Sequence, residues 1–108
     1  MRKTQFEITT RKGKEIVNGW ISANFGVHKT YPESKDSSYT VTHLRTGYKV
    51  SWFTMLNQAR DFVDRMEKAT FKTPWESTDI SAIVANNGPK TRAIEAIARG
   101  IQGVEIPE

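Results

Sequence analysis

Six residues of the strand-forming stretch between positions 29 and 51 are the candidates to hold a phosphate. Lys29, Arg45 and Lys49 are cations; Thr40, Thr42 and Ser51 carry hydroxyls. Lysine and arginine meet the phosphate charge, and hydroxyls donate to its oxygens. Arg11, Lys12 and Lys14, gathered around Gly13, add further cations upstream. Such a set on one face of a small sheet would grip a nucleic-acid backbone, and a ribbon of two or three strands fits a DNA major groove. The expected partner is therefore DNA or RNA.

The charge distribution agrees. The formal net charge is +4, and it is uneven. Residues 1–35 hold seven Lys/Arg against three Asp/Glu, residues 36–73 six against four, and residues 74–108 three against five. The basic excess lies in the strand-forming half, where it favours an anionic partner.

Enzymatic constellations are missing from the sequence. There is no Gly-x-Ser-x-Gly elbow, no P-loop and no dinucleotide fingerprint. The two histidines, His28 and His43, lack a third ligand and make a poor metal pair. Asp61 and Asp64 resemble an acid–base pair only in spacing, because each has a cation four residues on, which marks a solvated helix face. The expectation is a non-catalytic protein with no metal and no cofactor. Cysteine is absent, which excludes disulfides and thiolate sites and suits a reducing compartment. No apolar run reaches the roughly 20 residues of a membrane helix. Basic Arg2 and Lys3 lack the apolar stretch of a secretory leader. The expected setting is cytoplasmic, without membrane contact.

The elements that must carry these residues follow from periodicity. Residues 39–44 and 48–53 are β-prone runs rich in aromatic and β-branched side chains. Thr46-Gly47 reads as the tight turn between them, with glycine free to take positive φ. That turn places Val41 opposite Trp52 and His43 opposite Val50. Tyr39, Val41, Val50 and Trp52 then form an apolar face, and Thr40, Thr42, Lys49 and Ser51 a polar one. A helix follows, with Thr54 as its cap and Met55, Leu56, Ala59, Phe62, Val63 and Met66 on a stripe of about 120°.

Upstream, residues 3–10 form a first strand and 11–14 a basic turn. Asn18-Gly19 carries a hairpin signal, and residues 20–29 read as one long alternating strand. Residues 31–38 read as an exposed loop. Downstream, Pro74 breaks the chain and Trp75 anchors the crossing. A short helix ends at Asn86-Asn87-Gly88, and Pro89 opens another whose stripe is Ala93, Ile94, Ile97, Ala98 and Ile101. The pair has the outline of a helix-turn-helix with Lys90-Thr91-Arg92 at the second start. Val84, Pro89 and the acidic balance depart from that motif, and a packing helical hairpin is the better reading.

The run 39–50, with its Thr-Gly turn, followed by Thr54 and the Ala59-Arg60-Asp61-Phe62 helix, resembles small accessory proteins of phages and mobile elements. The resemblance covers about a third of the chain and implies no catalytic residues. The order of three strands and a helix is also similar to the AP2 and integrase arm-binding DNA modules, in layout alone.

The combined expectation is a single α+β domain: an antiparallel β-meander of three to five strands packed by one amphipathic helix (1–69), a linker (70–76), a C-terminal helical hairpin (77–103) and a tail (104–108). Its expected role is a phage-type accessory protein that binds nucleic acid through a basic sheet face. The alternative is a protein-binding inhibitor of a host nuclease or defence complex, of the anti-CRISPR or anti-restriction type. Trp20, Tyr31 or Trp75 would be its anchors, and a homodimer is open. If phage-encoded, it would act in the host cytoplasm.

Overall fold

The computed structural model describes residues 1–30 and 38–107. The order is β1 (Arg2–Thr10), β2 (Gly13–Ile21), β3 (Phe25–Lys29), β4 (Tyr39–His43), β5 (Lys49–Phe53), α1 (Leu56–Lys68) and α2 (Ile80–Ala98). The five strands form one antiparallel sheet in sequence order, a meander, and the class is α+β. Most of the 31–38 loop, and Tyr31 with it, falls outside the described residues.

The first strands differ from the long alternating run expected at 20–29. That run breaks at 22–24, where a tight turn joins β2 to β3 and the Ser22 N–H bonds to the Phe25 carbonyl at 2.8 Å. The turn is tied to α1: Glu67 accepts from the Ser22 hydroxyl at 2.5 Å, the Asn24 N–H at 2.8 Å and the Asn24 side-chain amide at 2.8 Å. A carboxylate from a distant helix thus supplies what no local turn signal announced.

Asn18-Gly19 is not a turn; both residues lie inside β2, which pairs with β1 along its whole length. Gly19 serves close approach instead. A Cβ there would stand 2.0 Å from the Val27 carbonyl oxygen and 3.0 Å from the Phe6 ring. Only residues 19–21 of β2 pair with β3. The rest of the β1–β2 hairpin is an arm that folds back across the sheet. Phe6 lies against Gly26, where a Cβ would be 2.6 Å from the ring, and edge-on to His28 at 5.7 Å between centroids.

The β4–β5 hairpin has the expected strands in a different register. Its connection is four residues long, 44–47, with the His43 N–H bonded to the Tyr48 carbonyl at 2.9 Å and Gly47 at φ 75°. Thr42 then faces Lys49, but Val41 faces Ser51 and Thr40 faces Trp52. Val50 is the unmatched residue of a β-bulge, which inverts the alternation beyond it. A one-residue shift moves every later side chain to the opposite face. So Ser51 and Phe53 are buried, whereas Trp52, expected in the core, is exposed.

α1 lies on the face formed by Phe25, Val27, Val41 and Phe53. It buries Ala59, Phe62, Val63 and Met66, with Phe53 and Phe62 ring centroids 5.1 Å apart. Two details of the expected helix change. The N-cap is Met55, which makes no side-chain cap bond and is exposed, while the Thr54 hydroxyl donates to Gln58 at 3.5 Å.

The helical hairpin is made by α1 and α2, not by two halves of 77–103. α2 runs unbroken through Asn86-Asn87-Gly88-Pro89. Pro89 has no N–H to donate to the preceding turn, and an interior proline costs about 3 kcal/mol. Tertiary bonds offset this. Buried Asn87 accepts from the Thr73 N–H at 3.1 Å and donates to the Thr73 carbonyl at 2.7 Å, and Asn86 donates to the Thr73 hydroxyl at 2.9 Å. Residues that read as a helix stop instead clamp the linker. Asp79 caps α2 by accepting from the Ala82 N–H at 3.1 Å. Contacts of Lys90 with Thr70 and of Arg99 with Trp52 show that α2 runs antiparallel to α1. Trp75 anchors the linker as expected, edge-on to Phe25, His43 and Phe71.

Candidate nucleic-acid interface

The arm decides where the candidate phosphate-binding residues end up. At its tip, the Thr9 N–H donates to the Gly47 carbonyl at 2.8 Å, and the Thr9 hydroxyl to the Thr46 carbonyl at 3.3 Å. Gly47 is required there twice over. Its φ is positive, and a Cβ would lie 2.5 Å from the Thr9 hydroxyl. This contact joins two turns that lie more than thirty residues apart in sequence. The β1–β2 turn brings Arg11, Lys12 and Lys14; the β4–β5 turn and the strand after it bring Arg45 and Lys49. All five are exposed.

Between arm and sheet lies a cleft of about 520 Å³. Ile8, Thr9, Thr10 and Arg11 line it from the arm, His28 and Thr30 from β3 and its end, and Thr40, Thr42 and residues 47–49 from the β4–β5 hairpin. Among the described residues, two cations and five threonines therefore surround one opening, and none of the described lining residues is a carboxylate. Thr40 and Thr42 form its floor and are buried under the arm. Exposed Tyr48 stands at the mouth beside Lys49.

Three of the expected site residues leave the set. Ser51, inverted by the bulge, is buried on the helix side and donates to the Glu95 carboxylate of α2. Lys29 is exposed, but on a strand side chains alternate. It stands on the face opposite His28 and so opposite the cleft, paired with Tyr39 at the far end of β4. Lys14 is at the joined turns but has a partner, Glu7, at 3.5 Å. The open sheet face expected to enter a major groove is absent from the described residues, because the arm covers Thr40 and Thr42.

The histidines separate as well. His28 belongs to the cleft: its Nδ1–H donates to the Lys29 carbonyl at 2.5 Å, and Nε2 lies 3.4 Å from the Thr42 hydroxyl. His43 is on the helix side, where Nε2–H donates to the Trp75 carbonyl at 2.5 Å and Nδ1 lies 2.9 Å from the Thr46 hydroxyl. One helps form the cleft and the other ties down the linker. Among the described residues no cluster of three or more His, Asp or Glu is placed to hold a metal. No described helix is long and apolar enough to cross a membrane.

Thr9, Thr10, His28, Thr30 and Tyr48 were not among the expected site residues. Alternation marked His28 as a polar-face residue, but nothing local shows that the arm folds over. The signal that could have found it is the pair of strand glycines, Gly19 and Gly26, since an interior strand glycine marks close approach of another group.

Comparison with protein-family models, with curated proteins and with solved structures gives no significant match.

Proposed function

We propose that this is a non-catalytic accessory protein that binds single-stranded nucleic acid at the joined turns. The observation that carries the reading is the Thr9–Gly47 bond, which joins the turn bearing Arg11 and Lys12 to the hairpin bearing Arg45 and Lys49, beside a threonine-lined cleft that Arg11 and Lys49 border. Cations there would neutralise backbone phosphates. The Thr42 hydroxyl, held only by a long contact to His28, would add a hydrogen bond, and Tyr48 offers a face on which a base can stack, a contact worth about 1–3 kcal/mol. A single strand fits better than a duplex. The arm closes the face that a groove about 12 Å wide would have to accept, and the opening that remains is of nucleotide size. The resemblance of residues 39–66 to phage and mobile-element accessory proteins supports a host-cell setting for this activity.

The test is fluorescence anisotropy with a labelled oligo-dT, an oligo-U and a duplex between 50 and 200 mM salt. Single strands should bind more tightly than the duplex, and affinity should fall steeply with salt. R11A and K49A should each weaken binding to all single strands and lower the salt slope by about one contact. No measurable binding to either single strand at 50 mM salt would end the proposal.

A further inference from the structure

On the other side of the β4–β5 turn lies a second opening, a groove of about 230 Å³ between that turn and α2. We propose that it docks an acidic peptide segment of a partner protein by a single bulky apolar side chain. Four observations support this.

First, the groove is apolar inside. His43, Val50, Trp75 and Ile83 line it, a space of side-chain size rather than the 300 Å³ or more usual for a cofactor. Second, its rim exposes three large apolar side chains: Tyr48 is 50% exposed, Ile80 40% and Val84 66%. Scattered exposed apolar residues need no explanation, but three around one opening form a patch of the kind partners cover. The first turns of α2 bring two of them together, since Val84 and Ile80 lie one helical turn apart.

Third, two buried polar atoms belonging to groove residues, Trp75 Nε1 and Thr91 Oγ1, have no hydrogen-bond partner among the described residues. Buried polar groups are nearly always paired, and leaving one unpaired costs about 1–3 kcal/mol. Indole N–H is a donor only, so what it lacks is an acceptor, which a ligand could supply once Trp75 shifts to uncover the buried nitrogen. Fourth, among the described residues the charged members of the lining are Lys49 and Arg92, both cations. That selects an anchor flanked by aspartate or glutamate. A nucleic acid would satisfy the cations but not the apolar interior.

The test titrates an acetylated octapeptide, one central leucine flanked by aspartates, into ¹⁵N-labelled protein. Expected is saturable movement of the Trp75 indole N–H signal. Replacing the leucine by alanine, or the aspartates by lysines, should weaken binding at least tenfold. V84E and R92E, both on the exposed surface of α2, should do the same while the rest of the spectrum stays that of the folded protein. R11A should leave peptide binding unchanged, which separates this groove from the nucleic-acid cleft. The proposal is overturned by any of three results: no movement at millimolar peptide, equal binding of the lysine-flanked peptide, or equally tight binding of free 4-methylpentanoate. Sedimentation that finds a dimer broken by V84E would assign the groove to a second copy and overturn it too.

Discussion

The two faces of β4 are both buried, by opposite means. Val41 points to the helices and Thr40 and Thr42 to the arm, and all three are less than a tenth exposed. On the helix side, aromatic and aliphatic side chains pack around Phe53 and Phe62 into one buried cluster. On the arm side, a ring rests on bare glycine backbone at Gly19 and Gly26, and the remaining neighbours are hydroxyls and an imidazole. Apolar packing fills the centre of a face and leaves only a side-chain-sized groove at its edge, whereas the hydroxyl-lined face keeps the larger opening. The helix side therefore carries stability, and the arm side carries the cleft.

Removing the ring at the centre of the helix side should have the largest effect. Phe62→Ala empties a fully buried position and should lower stability by about 3–5 kcal/mol in urea unfolding. A loss under about 1 kcal/mol would mean that the two faces do not divide the work in this way. The arm should respond differently. Gly26→Ala drives a methyl into the Phe6 ring, which can move away, so the expected loss is about 1–3 kcal/mol. Its signature should be local. Hydrogen exchange at the Thr9 amide should speed up, because that amide is the arm's tie to Gly47, while exchange at Val63 on α1 tracks only the global change.

Much of this architecture is legible in the residues, and the exceptions share one cause. The strand-rich half, the α1 stripe and the Trp75 anchor follow from local periodicity, which reports what a segment does against a single neighbour. The bulge at Val50 is set against the neighbouring strand, and the Glu67 hold on the 22–24 turn and the Asn87 clamp on Thr73 involve partners 14 or more residues away. Each overrides a local signal: a plausible two-residue turn, an alternating strand, a helix stop. The candidate site shows the same division. Arg11 and Lys12 are visible as cations of a turn, Arg45 as a cation beside one and Lys49 as a cation on a strand's polar face. That the two turns meet depends on the fold-back of the arm, and Ser51 and Lys29 drop out for reasons of register and face alone.

Thr42→Val sharpens the contrast by leaving the shape of the arm side unchanged. The Thr42 hydroxyl lies 3.4 Å from His28 Nε2, a long contact, so deleting it should cost no more than about 1 kcal/mol of stability. If the cleft takes a phosphate or sugar, however, the same change should weaken oligo-dT binding several-fold. Stability lost without any change in binding would make the threonine floor a packing device and move the binding surface out to the cations.

The smallest effect is expected at Lys14. Its ion pair with Glu7 joins side chains that are 61% and 53% exposed, at 3.5 Å. Such pairs gain little Coulomb energy in water and lose side-chain freedom. Lys14→Gln should therefore shift stability by less than about 0.5 kcal/mol, within the scatter of most unfolding measurements. Its effect on binding should also fall below that of R11A, because Glu7 already offsets part of the lysine's charge and Lys14 does not line the cleft. If K14Q proved as damaging to oligo-dT binding as R11A, the nucleic acid would have to run over the outer side of the β1–β2 turn. The cleft and its hydroxyls would then lie beside the path rather than on it.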